Sequence, residues 1–233
     1  MNGAVREVLI VEADEFAGWT ARVIEDCIAT SVQSRGACHL VLAGGRTPAQ
    51  VYRVLAQRSD VPWVHVHVYI GDERCVPPTH VDSNYRMIAE TLLSVVPIPA
   101  AQIHRLRGEL GAVVAAEEYQ ALLDPLPEPK FDFVLNGMGA DGHTASLFPG
   151  DARVSTAQAW AMSSVAPPAF AVPERVGLTM RALRSTRVSV VLCTGAEKHA
   201  VRTAILSGDP AAQSLPAAML HGIERTLWIV DPM

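Results

Sequence analysis

Short β-rich runs alternate with segments of helical periodicity along the whole chain, and this alternation constrains its fold more than any other feature. Residues 7–12 (EVLIVE), 38–43 (CHLVLA), 64–70 (VHVHVYI), 131–135 (FDFVL), 187–193 (RVSVVLC) and 226–230 (TLWIV) read as strands. Between them, Phe16, Val23, Ile24, Cys27 and Ile28 recur with helical spacing. Residues 48–58, 83–95, 109–123 and 196–207 are further expected helices. Strand, helix, strand in succession predicts an α/β fold, a mostly parallel sheet with helices on both faces. Pro and Gly are spread along the chain, apart from a stiff connection at 125–129 (PLPEP) and an irregular loop at 166–173. With no repeat or low-complexity segment, residues 1–233 are expected to form one domain.

Composition excludes several function classes. The chain is 49% hydrophobic and 18% charged, enough apolar surface for a folded core rather than a disordered chain. Its 19 Lys and Arg against 24 Asp and Glu give a net charge of −5 and no basic run, which argues against a nucleic-acid partner. A few cations focused in one cleft can still hold a small anion. No apolar run approaches the roughly 20 residues of a membrane span, and no leader is expected at residues 1–16. Cys27, Cys38, Cys75 and Cys193 form no CxxC pair, so idle thiols and a cytoplasmic location are expected. No obligate protein partner is evident.

In open α/β sheets, ligands sit at the carboxyl ends of the strands, and the unusual loops of this chain follow its strands. AGGRTP (residues 43–48) follows the buried run 38–43. Gly44 and Gly45 allow close backbone approach, Thr47 is expected to cap the next helix, and Pro48 to occupy its first turn. A helix N-terminus with free N–H groups makes such a loop a phosphate cradle, although a capped glycine turn has the same appearance. The Lys-Ser/Thr ending of a Walker A loop is absent. GDERCVPP (residues 71–78) puts Asp72, Glu73 and Arg74 at the end of the next strand, where Arg74 can grip a phosphate or carboxylate. His65 and His67 are expected on one face of that strand, but no further ligands at metal-binding spacing accompany them.

NGMGADGHTASLFPG (residues 136–150) matches G-x-G-x-x-G through Gly137, Gly139 and Gly142. No acidic residue lies between Ala152 and Pro173, where a dinucleotide site needs one, so a nicotinamide cofactor is not expected. The glycines instead bring Asp141 and His143 to a strand end, and histidine is the side chain best suited to act as a base near neutral pH. Lys198, in the first turn of the helix after 187–193, opposes the helix dipole unless it faces an anion.

Together GGRTP, DERCVP with SNY (Ser83, Asn84, Tyr85), GMGADGHTASLFPG and GAEKH resemble the 6-phosphogluconolactonase family over about residues 40–200. The resemblance implies a Rossmann-like fold, no metal or cofactor, and hydrolysis of 6-phospho-D-glucono-1,5-lactone. It implies His143 as the general base, with Asp72 and Arg74 as the family's acidic-basic loop. Gly44, Gly45, Arg46, Thr47, Arg74, Gly139, Asp141 and Lys198 are then expected to bind the substrate and its phosphate. Arg46, Asn136 and Gly177 depart from the family pattern, where Ser, an apolar residue and Thr are usual. A glucosamine-6-phosphate deaminase and a non-catalytic sugar-phosphate sensor are the alternatives. The deaminase turn carries a carboxylate where this chain has Phe148, and a sensor would not need His143 and Asp141.

Overall fold

Seven strands of the computed structural model, which describes residues 6–232, lie side by side with every neighbouring pair parallel. Residues 1–5 and Met233, part of the expected 1–233 domain, lie outside the described residues. In chain order the elements are β1 (Arg6–Ile10), α1 (Phe16–Arg35), β2 (Cys38–Leu42), α2 (Arg46–Leu55), β3 (Val66–Ile70), β4 (Asp72–Arg74), α3 (Asn84–Ile88) and β5 (Ile103–His104). They continue with α4 (Ala112–Leu123), β6 (Phe131–Gly137), α5 (Arg153–Thr156), β7 (Ala161–Val165), β8 (Glu174–Leu178), α6 (Met180–Arg184), β9 (Thr186–Cys193), α7 (His199–Ser207) and β10 (Arg225–Val230). The large sheet runs β1-β10-β9-β6-β2-β3-β5, and β4-β8-β7 form a small antiparallel sheet beside it.

Successive side chains of a strand point to opposite faces, and both faces of the large sheet are apolar. Val41, Val134, Val191 and Trp228 enter one core, covered by α4, α6 and the small sheet through Tyr119, Leu183 and Val176. Leu40, Leu42, Phe133, Leu135 and Ile229 enter the other, covered by α1 and α2 through Ile24, Ile28, Val51 and Leu55. Each such side chain contributes roughly 1.5–3 kcal/mol relative to exposure. Helix α1 stops at Gly36, whose left-handed backbone (φ 81°) returns its N–H to Val32 O at 2.9 Å. Arg35 in its last turn pairs with Asp132 of β6 at 2.9 Å. None of the described helices is long and apolar enough to cross a membrane.

The expected elements are present with shifted ends. Residues 63–65 form a 3₁₀ turn, so β3 starts at Val66 and His65 does not share a strand face with His67. The run at 7–12 ends as a strand at Ile10. The helix expected at 83–95 is α3 followed by a π-helical turn over Ala89–Leu93. That at 109–123 begins only after Gly111, at φ 86°. The small sheet escaped the sequence pattern because Asp72-Glu73-Arg74 is short and charged, with no hydrophobic period to read.

His67 belongs to a stack on the outer strands. Its ring lies 4.9 Å from His39 and 5.4 Å from His104, stacked nearly parallel to both, and Tyr69 lies 4.5 Å from His104. His67 Nδ1 meets His104 Nε2 at 3.1 Å, Gln102 reaches His67 Nε2, and the Tyr69 hydroxyl pairs with His39 Nδ1 at 3.0 Å. Burial, with the charges of His67 and His39, pushes His104 down to about 4. Burial also lowers His39 and His67, with Asp132 opposing the shift at His39. Each folded value lies below the unfolded one of about 6.5, so the neutral stack's stability is complete above that pH and is lost as pH falls toward 4. Urea unfolding at pH 7.5 and 5.0 should therefore show His104→Gln losing less stability on acidification than the wild type. Identical losses would show that the stack does not drive the pH dependence.

Candidate active site

Chain order reverses at the centre of the sheet. From β2 the strands run outward to β3 and β5, and from β6 they run outward to β9 and β10. Loops leaving such a switch point diverge and open a crevice at the carboxyl ends of the strands. Here a cleft of about 290 Å³ opens beyond β9, β6, β2 and β3, and each of those strands contributes one loop to it.

The loop after β2 brings Gly44, Gly45, Arg46 and Thr47 to the cleft. Gly45 (φ 109°) is the residue before helix α2, which begins at Arg46. The expected cap is therefore corrected: Thr47 and Pro48 lie inside the first turn, no side chain caps the helix, and the Thr47 hydroxyl faces Thr194 Oγ1 at 3.3 Å. The free N–H groups of Arg46 and Thr47 remain at the helix start, as an anion site requires. A Cβ at Gly44 would overlap the Asn84 side chain, so the loop packs directly on the SNY segment.

The loop after β3 becomes β4, and strand alternation sorts its three charges. Asp72 and Arg74 line the cleft, while Glu73 points away beneath α3. Glu73 is 2% exposed and accepts from the N–H groups of Arg74, Asn84 and Tyr85 at 2.7–2.8 Å and from Ser83 Oγ at 2.9 Å. Burial raises its pKa, and these four bonds oppose the shift. Asp72 accepts from Ser146 Oγ at 2.6 Å and from Asn84 Nδ2 at 3.2 Å, which ties this loop to the one after β6. Arg74 donates one bond to Asp82 O at 2.5 Å, and its Nε is buried without a partner.

The loop after β6 carries His143 on a glycine-rich turn. Gly139 N donates to His143 O at 2.9 Å, and Gly142 N (φ 82°) to Gly139 O at 3.0 Å. A Cβ at Gly139 would run into the His143 ring. His143 Nδ1 meets Asp141 Oδ1 at 2.5 Å. Burial disfavours the Asp141 charge, but the His143 backbone N–H, its ring and its charge outweigh burial and hold the carboxyl below its usual range. A carboxylate on Nδ1 selects the tautomer with its proton there, leaving the Nε2 lone pair free to act as a base. Asp141 was expected to bind substrate. It lies outside the cleft lining, in contact with Nδ1 of the His143 imidazole. Among the described residues, Ala145, at φ 49° on the cleft wall, is the one non-glycine residue in the left-handed region.

The loop after β9 carries Lys198, whose ammonium makes no hydrogen bond or ion pair with a described residue and which faces the cleft with Glu197 and Thr194. Asp231 at the end of β10 holds this loop. It accepts from Gly195 N at 2.8 Å and from Arg202 at 2.5 Å. Two departures from the resemblance have local reasons. Asn136 is buried, and its amide reaches Ser189 Oγ and Val190 O of β9 at 3.3 Å. Gly177 faces Asp72 across the β4–β8 pair, where a Cβ would come within 2.9 Å of the Asp72 Cβ. Arg46 is exposed at the mouth of the cleft.

The structure thus gathers Gly44, Gly45, Arg46, Thr47, Asp72, Arg74, Gly139, His143 and Lys198 around one space. Asn84 and Thr194 join them, and Ser146 supports Asp72 from behind the lining, none of the three having been assigned a site role. Asn84 was legible only as part of SNY, and Ser146 only as part of the long glycine-rich motif. A larger cavity of about 480 Å³ beside Trp160, Arg181 and Arg184 contains none of the motif residues. Among the described residues, no group of three or more His, Cys, Asp and Glu side chains gathers as a metal site would require.

Comparison with known proteins finds relatives along almost the whole chain. A family model described as glucosamine-6-phosphate isomerases/6-phosphogluconolactonase matches residues 11–228. The 6-phosphogluconolactonase of Thermotoga maritima is 33% identical over 227 residues, covering 97% of this chain and 98% of that one. The 6-phosphogluconolactonase of Mycobacterium leprae is 33% identical over 234 residues, covering 94% and 93%. The crystal structure of the Thermotoga maritima protein superposes with a TM-score of 0.88 at 31% identity, covering 98% of this chain and all of that one.

Glu73 gives this site a test of its own. Removing its carboxylate leaves three N–H groups and a hydroxyl without acceptors in a buried place, which costs about 3 kcal/mol. Glu73→Ala should lower the urea midpoint accordingly, and Glu73→Gln, which keeps acceptor oxygen, should lower it less. Equal, small effects would remove Glu73 as the organiser of the SNY segment.

Proposed function

We propose that this chain, which belongs to the glucosamine-6-phosphate isomerase/6-phosphogluconolactonase family, hydrolyses 6-phospho-D-glucono-1,5-lactone to 6-phospho-D-gluconate, with His143 as general base. The observation that carries the proposal is the 2.5 Å contact between Asp141 and His143 Nδ1, in a cleft that also holds a helix start, Arg74 and Lys198. Asp141 orients the imidazole, and Nε2 takes a proton from water as its oxygen attacks C1 of the lactone. The carbonyl oxygen becomes an oxyanion, steadied by backbone N–H groups of the glycine loop or by Arg74. The C1–ring-oxygen bond then breaks, and the imidazolium returns its proton to the departing oxygen.

The lactone carbonyl is electrophilic enough for activated water, so no covalent nucleophile is needed, and no G-x-S-x-G elbow occurs in the chain. The remote phosphate supplies orientation. Bound at the start of α2 with Gly44, Gly45, Thr47, Arg74 and Lys198, it places C1 against His143. The position that carries a carboxylate in the deaminase turn is Phe148, whose ring packs 5.1 Å from His143. That apolar neighbour favours lactone hydrolysis over ring opening of an amino sugar.

The test follows lactone disappearance and acid release at mildly acidic to neutral pH, with spontaneous hydrolysis subtracted. A positioned base supplies about 10²–10⁴-fold, roughly 3–5 kcal/mol. His143→Ala should lower kcat by that factor with little change in KM, and should abolish the acidic limb of the pH–rate profile. Lys198→Ala should lower kcat/KM for the phosphorylated lactone by about one to two decades while sparing the unphosphorylated lactone. A folded His143→Ala protein with near-normal kcat would overturn the assignment of the base. Equal losses on both lactones would give Lys198 a structural role instead.

A further inference from the structure

Arg175 was not singled out by any motif, yet it stands directly opposite Arg74 in the β4–β8 pair. It is only 5% exposed. Its guanidinium lies over the Phe170 ring at 5.5 Å, and Phe170 packs edge-on against His143 at 5.7 Å. The Arg175 guanidinium donates no hydrogen bond to a described residue, and its Nε, like that of Arg74, is buried without a partner. Of the nearby carboxylates, Asp72 is engaged by Asn84 and Ser146, Glu73 by Ser83 and three N–H groups, and Asp82 lies half-exposed beside His80. Burial, and then the like charge of Arg74, lower the Arg175 pKa, with the charges of Asp72, Glu73 and Asp82 opposing them.

Two neighbouring guanidiniums with unused donors in a buried place are unfavourable in the empty protein. Buried donors in native proteins have acceptors, and the ligand suited to two guanidinium forks at once is a tetrahedral oxyanion. Arg74 lines the cleft, and Arg175 stands behind it, beside the loop at 166–173 that carries Phe170. We propose that Arg175 is the second cation of the phosphate grip, its charge and free donors joining those of Arg74 when a phosphate dianion enters. This rests on the reading of the cleft as a sugar-phosphate site. It adds that phosphate affinity comes from a like-charge pair that the empty protein holds at a cost to its own stability.

A purely structural arginine and an anion-gripping one differ in sign. Replacing a buried, unpaired charge with an apolar chain of similar length removes a destabilising group. Thermal unfolding of wild type, Arg175→Met and Arg175→Lys is therefore compared in phosphate-free buffer and with inorganic phosphate, 6-phosphogluconate or gluconate. The wild-type Tm should rise with phosphate and 6-phosphogluconate and not with gluconate. Arg175→Met should have a phosphate-free Tm at or above that of the wild type and should lose most of the phosphate-induced rise. Arg175→Lys should keep part of that rise. KM for the phosphorylated lactone should increase by about one decade or more in Arg175→Met, with the change concentrated in KM rather than kcat.

A lowered phosphate-free Tm with the phosphate-induced rise intact would overturn the proposal. So would an Arg175-dependent rise with gluconate alone, which would assign the pair to a carboxylate. If Arg175→Met does not fold, Arg175→Lys decides: a reduced rise supports the pair, and an unchanged rise overturns it. These measurements need no turnover, so a wild type that binds phosphate through Arg175 but leaves the lactone intact would separate failure of the proposed reaction from failure of this one.

Discussion

The parallel pairing of β2 with β6 is the constraint on which the rest of the structure depends. Leu40 faces Phe133 and Val41 faces Val134 across that pair, the first two buried together in one core and the second two in the other. Chain order reverses there, so the two central loops cannot cross over each other and must part. The glycine loop before α2 leaves to one side and the histidine turn to the other, and the cleft is the space between them. A one-residue slip in register would exchange the side chains of a strand between the two cores and disrupt the packing of each, so packing of both cores holds the cleft's geometry.

Within that frame, carboxylates position the loops rather than line the site as free charges. Glu73 gathers the N–H groups at the start of α3 and fixes Asn84, on which Gly44 rests. Asp72 ties Asn84 to Ser146 and so joins the loops after β3 and β6. Asp231 anchors the Lys198 loop, and Asp141 orients His143. The cations are left with spare donors: Arg74 and Arg175 each have an unpartnered Nε, and the Lys198 ammonium faces the cleft. A cleft that gathers Arg46, Arg74 and Lys198 against Asp72 and Glu197 suits an anion, although the whole chain is acidic at −5.

The long parallel strands were legible in the sequence because burial on both faces writes itself as continuous apolar runs, as in CHLVL and FDFVL. The loops that carry Gly44, Arg74, His143 and Lys198 were legible because glycine and charge are unusual at the ends of such runs. The small sheet was not, since β4 is three charged residues whose pairing depends on β8, about a hundred positions away. Thr47 was misread as a cap because Gly45, with its positive φ, takes the cap position two residues earlier than a Ser/Thr rule predicts. Arg175 was invisible for a related reason: its significance is that it faces Arg74, and only the β4–β8 register brings the two together.

The central claim is that one cleft holds the phosphate at the start of α2 and the reacting carbon at His143. A crystal structure of the protein with 6-phospho-D-gluconate bound tests it most directly. The account predicts phosphate oxygens on the N–H groups at the start of α2 and on Arg74 and Lys198, with the C1 carboxylate within hydrogen-bond distance of His143 Nε2. Product bound in the opposite sense, with its carboxylate on Lys198 and its phosphate at His143, or seated in the cavity beside Trp160, would contradict it.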